Sequence, residues 1–543
     1  MNPFFQLTLA VTVSMLIIPL ARRFAPRLGL VDLPDPRKVH TAPIPRVGGW
    51  GITLGTLVPL LLVFRLDPLL QSFLIGCVTL FAFGIWDDAR NIGHWTKFAG
   101  QLVAAGTVVY YGDLWVSRVP FIDSALPAAL GKPFTVFALV GVINAINHSD
   151  GLDGLAGGES ILSLMALATL GYMSGSPLIL GISLATIGGI FGFLRYNSHP
   201  AYVFMGDCGS QVLGFTLGFL VVSLTQVANT ALSAALPLLV LGIPIADILS
   251  VLYQRIRGGM NWFRATRNHM HHRLMELGFH HYETVVIIYS MQAALVLCAV
   301  LARYQSDATV ALLYASGIAG LFCALTVAEH RGWRVPRARG VESRLAHAVT
   351  ALKASRAILK GPLLVIMVIT PVVMLCSALW LARVPSDFAV AAALLAVVPA
   401  VQLLWPRLVW PALLRLAIYA AAIFPAYLLL SFPQAIPPSL QSLTITVIAV
   451  LTVAIVVYVR FSAEERFGAT PTDYLIVCGV VALIIYGSIE VNSRNVVEAV
   501  LLATVLMYAC EVLVGSTSGT SSRRLLQYST LGTLLIITLR GVL

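Results

Sequence analysis

The sequence predicts an all-α polytopic membrane protein. Of its 543 residues, 58% are hydrophobic and only 11% are charged, and the mean hydropathy is +0.88. A water-soluble globular domain carries roughly 25% charged residues, so most of this surface does not face water. Apolar runs of about 20 residues, the length of one helical crossing, recur along the whole chain. These runs are continuous, whereas membrane strands are short and alternate, so a helical bundle is predicted.

The first part of the chain is predicted to form a bundle of eleven membrane helices. Residues 1–20 lack a basic start and a small-residue cleavage site, which favours a first crossing over a removed signal peptide. The predicted helices lie near 2–20, 48–65, 70–86, 97–111, 134–147, 157–175, 177–194, 211–226, 232–252, 284–302 and 306–327.

The rest of the chain predicts a linker and a second membrane domain. Residues 331–361 are basic with apolar residues at helical spacing, which is typical of an amphipathic segment on a membrane surface. We therefore divide the chain into domains 1–330 and 362–543, joined by that linker. The seven further apolar stretches lie near 362–383, 388–404, 409–431, 442–460, 472–489, 496–515 and 525–543.

The net charge of +11 is distributed unevenly. Basic residues gather in alternate inter-helix segments, at 22–47, 253–282 and 331–360, whereas the turns around Asp67 and Ser306 are poor in them. This is the positive-inside bias of membrane proteins. It places the basic loops in the cytoplasm and the N-terminus outside. The basic charge therefore indicates contact with membrane lipids and phosphorylated substrates, with no nucleic acid partner.

The first candidate site follows an apolar run that ends at Trp86. Asp87 and Asp88 are adjacent carboxylates beside a membrane, a costly placement unless they have a function. Mg²⁺ prefers carboxylate oxygens and also binds substrate phosphates. Lys97 opens the next helix on the same side and could meet such a phosphate. The alternative is a helix end with solvated acids.

A second polar segment leaves an apolar helix with four side chains spaced three residues apart. These are Asn144, Asn147, Asp150 and Asp153. This spacing can stack them on one side of a helical turn, and the glycines that follow each aspartate allow a ligand to approach closely. A purely structural turn is the alternative.

Two more carboxylates are candidates. Asp207 lies in a glycine-flanked loop, where it could supply a third metal ligand, although such loops are also common turns. Asp247 lies inside an apolar run, where an ionisable group is a functional candidate by default. It could equally pair within the bundle.

One cytoplasmic loop combines histidines and arginines that suit a phosphate. Arginine gives bidentate hydrogen bonds to phosphate, and histidine can donate or carry charge. Zinc is the alternative, but the seven cysteines show no ligand spacing and lie elsewhere. A plain basic loop is the third interpretation. The residues concerned are Arg264, Arg267, His269, His271, His272 and Arg273.

These segments together resemble the polyprenyl-phosphate N-acetylhexosamine-1-phosphate transferase superfamily. The resemblance covers about residues 1–330 and rests on five motifs in order. They are Arg37-Lys38-Val-His40 before Gly48-Gly49, Asp87-Asp88, Asn144-x-x-Asn147-x-x-Asp150-Gly-x-Asp153-Gly, Gly206-Asp207-x-Gly-Ser and His269-x-His271-His272-Arg273.

The resemblance implies a bundle of ten or eleven membrane crossings, consistent with the eleven-helix transferase bundle predicted here. It does not cover the about seven additional transmembrane helices that follow. It implies transfer of an N-acetylhexosamine 1-phosphate, with N-acetylglucosamine favoured, from a UDP-sugar to undecaprenyl phosphate with release of UMP. It also implies Mg²⁺, with Mn²⁺ as an alternative, a cytoplasmic active site in the bacterial inner membrane, and a homodimer.

The resemblance also implies roles for individual residues. Asp87, Asp88 and Asp207 would form the metal and catalytic cluster. The other members would bind the substrate: His40, Asn144, Asn147, Asp150, Asp153, His269, His271, His272 and Arg273. The loop resembles the branch that starts O-antigen, teichoic acid or arabinogalactan linkage units. Thr266 departs from the Asp that many relatives carry there.

Several alternatives stay open on the sequence alone. Asp87 would act as a base or orient the acceptor phosphate, and a covalent aspartyl intermediate competes with direct displacement. A membrane transporter or a lipid-linked scaffold is the rival class, which the clustering of polar motifs at one membrane face disfavours. Residues 362–543 could be a scaffold for a downstream glycosyltransferase, a lipid-handling or regulatory module, or a structural extension.

Overall fold

The computed structural model is helical almost throughout the residues it describes. The described residues are 3–34, 42–122, 124–259, 269–336, 356–405, 411–431, 438–461, 473–476, 494–515 and 519–542. Within them, 12 helices are long and apolar enough to cross a membrane, which confirms the predicted fold class. The chain divides into two compact units, residues 1–336 with 470–475, and residues 337–469 with 476–543.

The first unit contains a counterpart of every predicted helix. Its helices are α1 Pro3–Leu28, α2 Gly48–Val63, α3 Pro68–Arg90, α4 His94–Gly106, α5 Ala128–Ser149, α6 Leu155–Met173, α7 Pro177–Asn197, α8 Asp207–Ser223, α9 Leu236–Val240, α10 Gly242–Arg257, α11 Met270–Glu276, α12 His281–Leu301 and α13 Asp307–His330. Short π-helical turns, Thr107–Tyr111 and Leu224–Ala228, continue α4 and α8. Strands β1, Val31–Asp32, and β2, Ile44–Pro45, pair antiparallel before α2.

The prediction of a single helix at 232–252 is wrong. The stretch at 232–252 is divided into α9 and α10 at Leu241. Pro244 has no N–H to donate, and the N–H of Ile243 is donated to Gln292 Oε1 at 3.0 Å instead of to a helical carbonyl. The break therefore depends on a contact with α12, which a pattern along one segment cannot reveal.

Helix α8 lies at the centre of the first unit and is buried along nearly its whole length. It packs against α3 and α5, and α3 comes close because Gly84 faces Cys208: a Cβ on Gly84 would lie 2.3 Å from Cys208 Cα. Helix α3 ends at Arg90, where Asn91 turns into the left-handed region with φ 53°. The acidic end of α3 is thus held against the start of α8.

Within its described residues, the second unit contains counterparts of six of the seven predicted helices. They are α14 Arg356–Leu379, α15 Ser386–Leu404, α16 Pro411–Ser431, α17 Pro438–Phe461, α18 Arg494–Gly515 and α19 Gly519–Val542. Of the predicted stretch 472–489, only 473–476 is described, as helix. Most of the predicted linker, 337–355, lies outside the described residues, and α14 begins inside its last part. Arg415 and Glu511 pair at 3.2 Å between α16 and α18.

Candidate active site

Two carboxylates and one lysine from three helices meet in a single cluster. Lys97 Nζ lies 2.8 Å from Asp207 Oδ1 and 3.1 Å from Asp87 Oδ2. Asp87 lies in the last turn of α3, Lys97 lies in the first turn of α4, and Asp207 is the first residue of α8. The structure therefore brings together three residues that the sequence placed in separate motifs.

Asp88 faces the start of α8 and is buried. Its Oδ1 accepts a hydrogen bond from Asp207 N at 3.0 Å, and its Oδ2 accepts one from Cys208 N at 3.1 Å. Gly206, with φ 73°, makes room for this carboxylate, because a Cβ there would lie 2.6 Å from Asp88 Oδ2. Asp88 thus caps the helix that presents Asp207, a positioning role that the sequence prediction did not include.

Asn147 completes the carboxylate cluster from α5. Its amide Nδ2 donates hydrogen bonds to Asp207 Oδ1 and, at 2.7 Å, to Ser210 Oγ. Asp207 is therefore oriented by Asn147 and paired with Lys97. Ser210 was quoted within the glycine-rich motif but was not predicted as a site residue.

Asn144 lies one turn earlier on α5 and joins a chain of buried amides. Its Nδ2 donates to Gln101 Oε1 at 2.8 Å, and Gln101 Nε2 donates to Gln211 Oε1 at 3.2 Å. Both glutamines are fully buried. Neither glutamine was predicted as a site residue, although a glutamine inside an apolar helix is itself a signal of a buried polar network.

The loop between α5 and α6 carries the other two predicted aspartates. Burial, together with the nearby charges of Asp207 and Asp88, raises the pKa of Asp150 to about 7. Asp153 Oδ2 lies 2.7 Å from His199 Nδ1 and accepts a hydrogen bond from Ala201 N at 3.1 Å. The charges of the carboxylate cluster thus act on Asp150, whereas Asp153 is held by the segment after α7.

The described part of the histidine loop is anchored by Asp247 of α10. Asp247 Oδ2 lies 2.7 Å from His269 Nδ1, and its Oδ1 accepts a hydrogen bond from Met270 N at 2.7 Å. His148 of α5 stacks on His269, with ring centroids 5.7 Å apart. Of the two interpretations open for Asp247, pairing within the bundle is the one observed, and its partner is a predicted site residue.

His271 lies against the glycine that follows Asp150. A Cβ on Gly151 would lie 2.4 Å from His271 Cε1, so the histidine loop and the aspartate loop touch. Burial and the neighbouring His272 ring lower the pKa of His271 to about 3, which leaves the imidazole neutral at physiological pH. The His271 and His272 ring centroids are 4.2 Å apart.

Arg273 is paired with a carboxylate of α13. Its Nε and Nη2 each lie 2.7 Å from an oxygen of Glu329, and Nη2 donates to Thr326 Oγ1 at 3.1 Å. Both residues line an open cavity of about 710 Å³ with Tyr253 and Phe322. Arg273, predicted to bind donor phosphates, thus has its guanidinium engaged by Glu329.

His40, Arg264 and Arg267 lie outside the described residues, so their predicted roles stay predictions.

Comparisons with known proteins place the chain among sugar-phosphate transferases. The family described as Glycosyl transferase family 4 matches residues 70–225, which include Asp87, Lys97 and Asp207. The chain is 34% identical over 278 residues to the probable undecaprenyl-phosphate N-acetylglucosaminyl 1-phosphate transferase of Bacillus subtilis, covering 51% of this chain and 78% of that relative.

Two more distant relatives carry similar names. The undecaprenyl-phosphate alpha-N-acetylglucosaminyl 1-phosphate transferase of Escherichia coli strain K12 is 32% identical over 300 residues, which is 54% of this chain and 82% of the relative. The decaprenyl-phosphate N-acetylglucosaminephosphotransferase of Mycobacterium tuberculosis is 30% identical over 306 residues, which is 49% of this chain and 74% of the relative. Each match spans about half of the chain.

Proposed function

Because the chain belongs to glycosyl transferase family 4, we propose that it transfers N-acetylglucosamine 1-phosphate from a UDP-linked donor to undecaprenyl phosphate and releases UMP. The observation that carries the proposal is the cluster in which Lys97 Nζ lies within 3.1 Å of Asp87 and Asp207 carboxylate oxygens. Phosphoryl transfer depends mainly on positioning and on neutralising charge, which is what such a cluster provides.

The carboxylates of the cluster fit a divalent cation. Asp87 Oδ1 is buried and has no hydrogen-bond partner among the described residues, so it is an oxygen that a hard cation could satisfy. Asp87 and Asp207 would hold Mg²⁺, or Mn²⁺, whereas Asp88 holds the backbone that carries Asp207. When bound, the ion supplies positive charge to the diphosphate of the donor.

The chain's own residues then have separate tasks. Asn147 donates to Asp207 and keeps its carboxylate oriented. Asp247 holds the His269 ring through Nδ1 and so fixes the orientation of a side chain predicted to bind donor phosphates. His271, neutral because its pKa is lowered to about 3, offers a hydrogen bond and no charge.

Direct displacement requires the least chemistry from this site. An oxygen of the acceptor phosphate forms a bond to the β-phosphorus of the donor, and the bond from that phosphorus to the UMP oxygen breaks. A phosphate monoester is already largely ionised near neutral pH, with a second pKa of about 6. Asp87 therefore orients the acceptor in this proposal and does not have to remove a proton. A phosphosugar–enzyme adduct trapped without acceptor would contradict this version.

The proposed placement is the cytoplasmic face of a bacterial membrane. The carboxylate cluster lies where α3 ends and where α4 and α8 begin. The basic inter-helix segments 22–47 and 253–282 lie on the same side of the predicted membrane. Positive segments of this kind remain in the cytoplasm. UDP-sugars are made there, and the acceptor phosphate would approach from the lipid.

The proposal is tested with the purified full chain in detergent. UMP release from UDP-N-acetylglucosamine is measured with undecaprenyl phosphate and Mg²⁺, for the native chain and Asp87→Asn. We expect turnover that needs metal and lipid, and a loss of about 10²–10³-fold in the variant. Asp113→Asn is the matched control, because Asp113 is an exposed acid paired with Lys132. Silence of the folded native chain across a panel of UDP-N-acetyl sugars would overturn the proposal.

A further inference from the structure

A second group of ligand-type side chains lies where three separate segments of the first unit meet. Asp153 comes from the loop before α6, His199 from the segment after α7, and His281 from the first residue of α12. One ligand atom from each side chain lies within 4.8 Å of the other two. The two imidazole rings stack with centroids 4.1 Å apart.

The donor set of this group differs from that of the carboxylate cluster. Two imidazole nitrogens and one carboxylate oxygen suit zinc and other first-row transition metals, whereas all-oxygen sets suit Mg²⁺. Two histidines and one acid also leave a fourth position open for water or another ligand. The site is half-exposed: the His199 side chain is 43% exposed and that of Asp153 is 18% exposed.

The surroundings of the group already orient its carboxylate. Ala201 N donates to Asp153 Oδ2 at 3.1 Å, an outer hydrogen bond of the type that holds metal-ligating carboxylates in place. His199 Nδ1 lies 2.7 Å from the same oxygen, so a tetrahedral ion with bonds of about 2.0–2.2 Å would require that pair to separate by roughly 0.6–0.9 Å. The exposed His199 has room for that movement.

We propose that Asp153, His199 and His281 form a binding site for a transition-metal dication, with zinc as the favoured ion. Bound metal would tie the loop before α6 to the segment after α7 and to the start of α12. The proposal does not depend on the transferase reaction, because it concerns binding alone.

The test is a metal titration of the full chain without a polyhistidine tag, in detergent and with excess Mg²⁺ to occupy the carboxylate cluster. Co²⁺ is the spectroscopic probe, read from its visible absorption, and Zn²⁺ affinity is read by competition with a chromogenic chelator. We expect one tight equivalent, a rise in thermal midpoint with Zn²⁺, and an affinity loss on the order of 100-fold in His199→Ala and in His281→Ala.

Three variants keep the test decisive. Asp153→Asn retains the shape and the bond from Ala201 but removes the charged ligand, and it should also lose affinity while matching the native thermal midpoint in EDTA. His330→Ala, an exposed histidine at the end of α13, should bind as the native chain does. The proposal is overturned if no tight equivalent is found, or if His271→Ala with His272→Ala removes it while His199→Ala retains it.

Discussion

Lys97 Nζ lies 2.8 Å from Asp207 Oδ1, an ion pair between the first turns of two helices. The same ammonium group lies 3.1 Å from Asp87 Oδ2. The ammonium group of Lys97 thus offsets the repulsion between these two neighbouring carboxylates. In the proposed reaction the bound cation and Lys97 together neutralise the negative charge of these acids and of the donor diphosphate.

Replacing Lys97 by Met should change metal binding and turnover in opposite directions. Without the ammonium group the two carboxylates present more negative charge, so Mg²⁺ should bind more tightly, as measured by titration calorimetry. Turnover should fall by about 10²–10³-fold, because a charge positioned near the transferred phosphoryl group is lost. Lys132→Met, which removes a lysine paired with the exposed Asp113, is the control and should change neither quantity. Unchanged turnover in Lys97→Met would remove this residue from the proposed site.

Replacing Gly206 by Ala should lower turnover by displacing Asp88. The added Cβ would lie 2.6 Å from Asp88 Oδ2, and the φ of 73° is unfavourable for alanine. Because Asp88 accepts the Asp207 N–H, its displacement would move the start of α8. We expect at least about tenfold lower turnover and a free energy of unfolding reduced by roughly 1–3 kcal/mol.

The control for that variant is Gly93→Ala. Gly93 lies just before α4 with φ −61°, and nothing lies within 4 Å of its Cβ position. It should retain activity and thermal midpoint. Native-like turnover in Gly206→Ala would mean that the contact with Asp88 is not needed to position Asp207.

The pKa of Asp150 predicts a pH-dependent stability. Folding raises this pKa to about 7 from an unfolded value of about 3.9, because the buried carboxylate lies near Asp207 and Asp88. The folded state therefore binds the proton more tightly, and the stability it gains below about pH 4 is lost as the pH rises through 7. Asp150→Asn removes this loss.

The measurement is the thermal midpoint of native chain and Asp150→Asn between pH 4 and pH 8, without added metal. The variant should melt several degrees higher at pH 8, and the two curves should converge toward about pH 4. Mg²⁺ should narrow the difference in thermal midpoint at pH 8, since it neutralises the nearby acids that help to raise the pKa of Asp150. A constant difference across the range would contradict the proposed titration of Asp150.

The sequence predicted the helices well because each one is a local apolar run, and it predicted the carboxylate cluster because the motifs lay at one predicted face. What it missed depends on contacts between distant segments. Asp88 has the same local signature as Asp87, yet its oxygens face the backbone of α8. The close approach of α3 to α8 at Gly84 determines the direction that Asp88 faces, and this approach cannot be predicted from either segment alone.

The histidines show the same limit. His199 and His281 stand in different segments with no ligand spacing between them, and only the packing of α7, α6 and α12 brings them to Asp153. His269 was predicted from its motif, whereas its partner Asp247 was left open because an acid in an apolar helix has several explanations. Both outcomes follow from the fact that spacing along a chain reports only local neighbours.

The last prediction separates two roles for Arg273. Its guanidinium makes two 2.7 Å contacts with Glu329 and lies over the Phe322 ring. If this pairing is its main role, Arg273→Ala and Glu329→Ala should each lower the free energy of unfolding by about 1 kcal/mol, and the double variant should lose little more than either single one. The KM for the UDP-sugar should then change less than about threefold in all three, because pairing leaves the donor contacts intact.

The opposite result has a clear signature. An increase of about tenfold or more in donor KM for Arg273→Ala, with Glu329→Ala at or below the native value, would mean that the guanidinium leaves Glu329 to bind donor phosphates, as the motif predicted. Glu329→Gln sharpens the comparison, since it keeps the shape of the side chain and frees the arginine of its charged partner. It should lower donor KM if Arg273 reaches the donor, and leave it unchanged if Arg273 only joins α11 to α13.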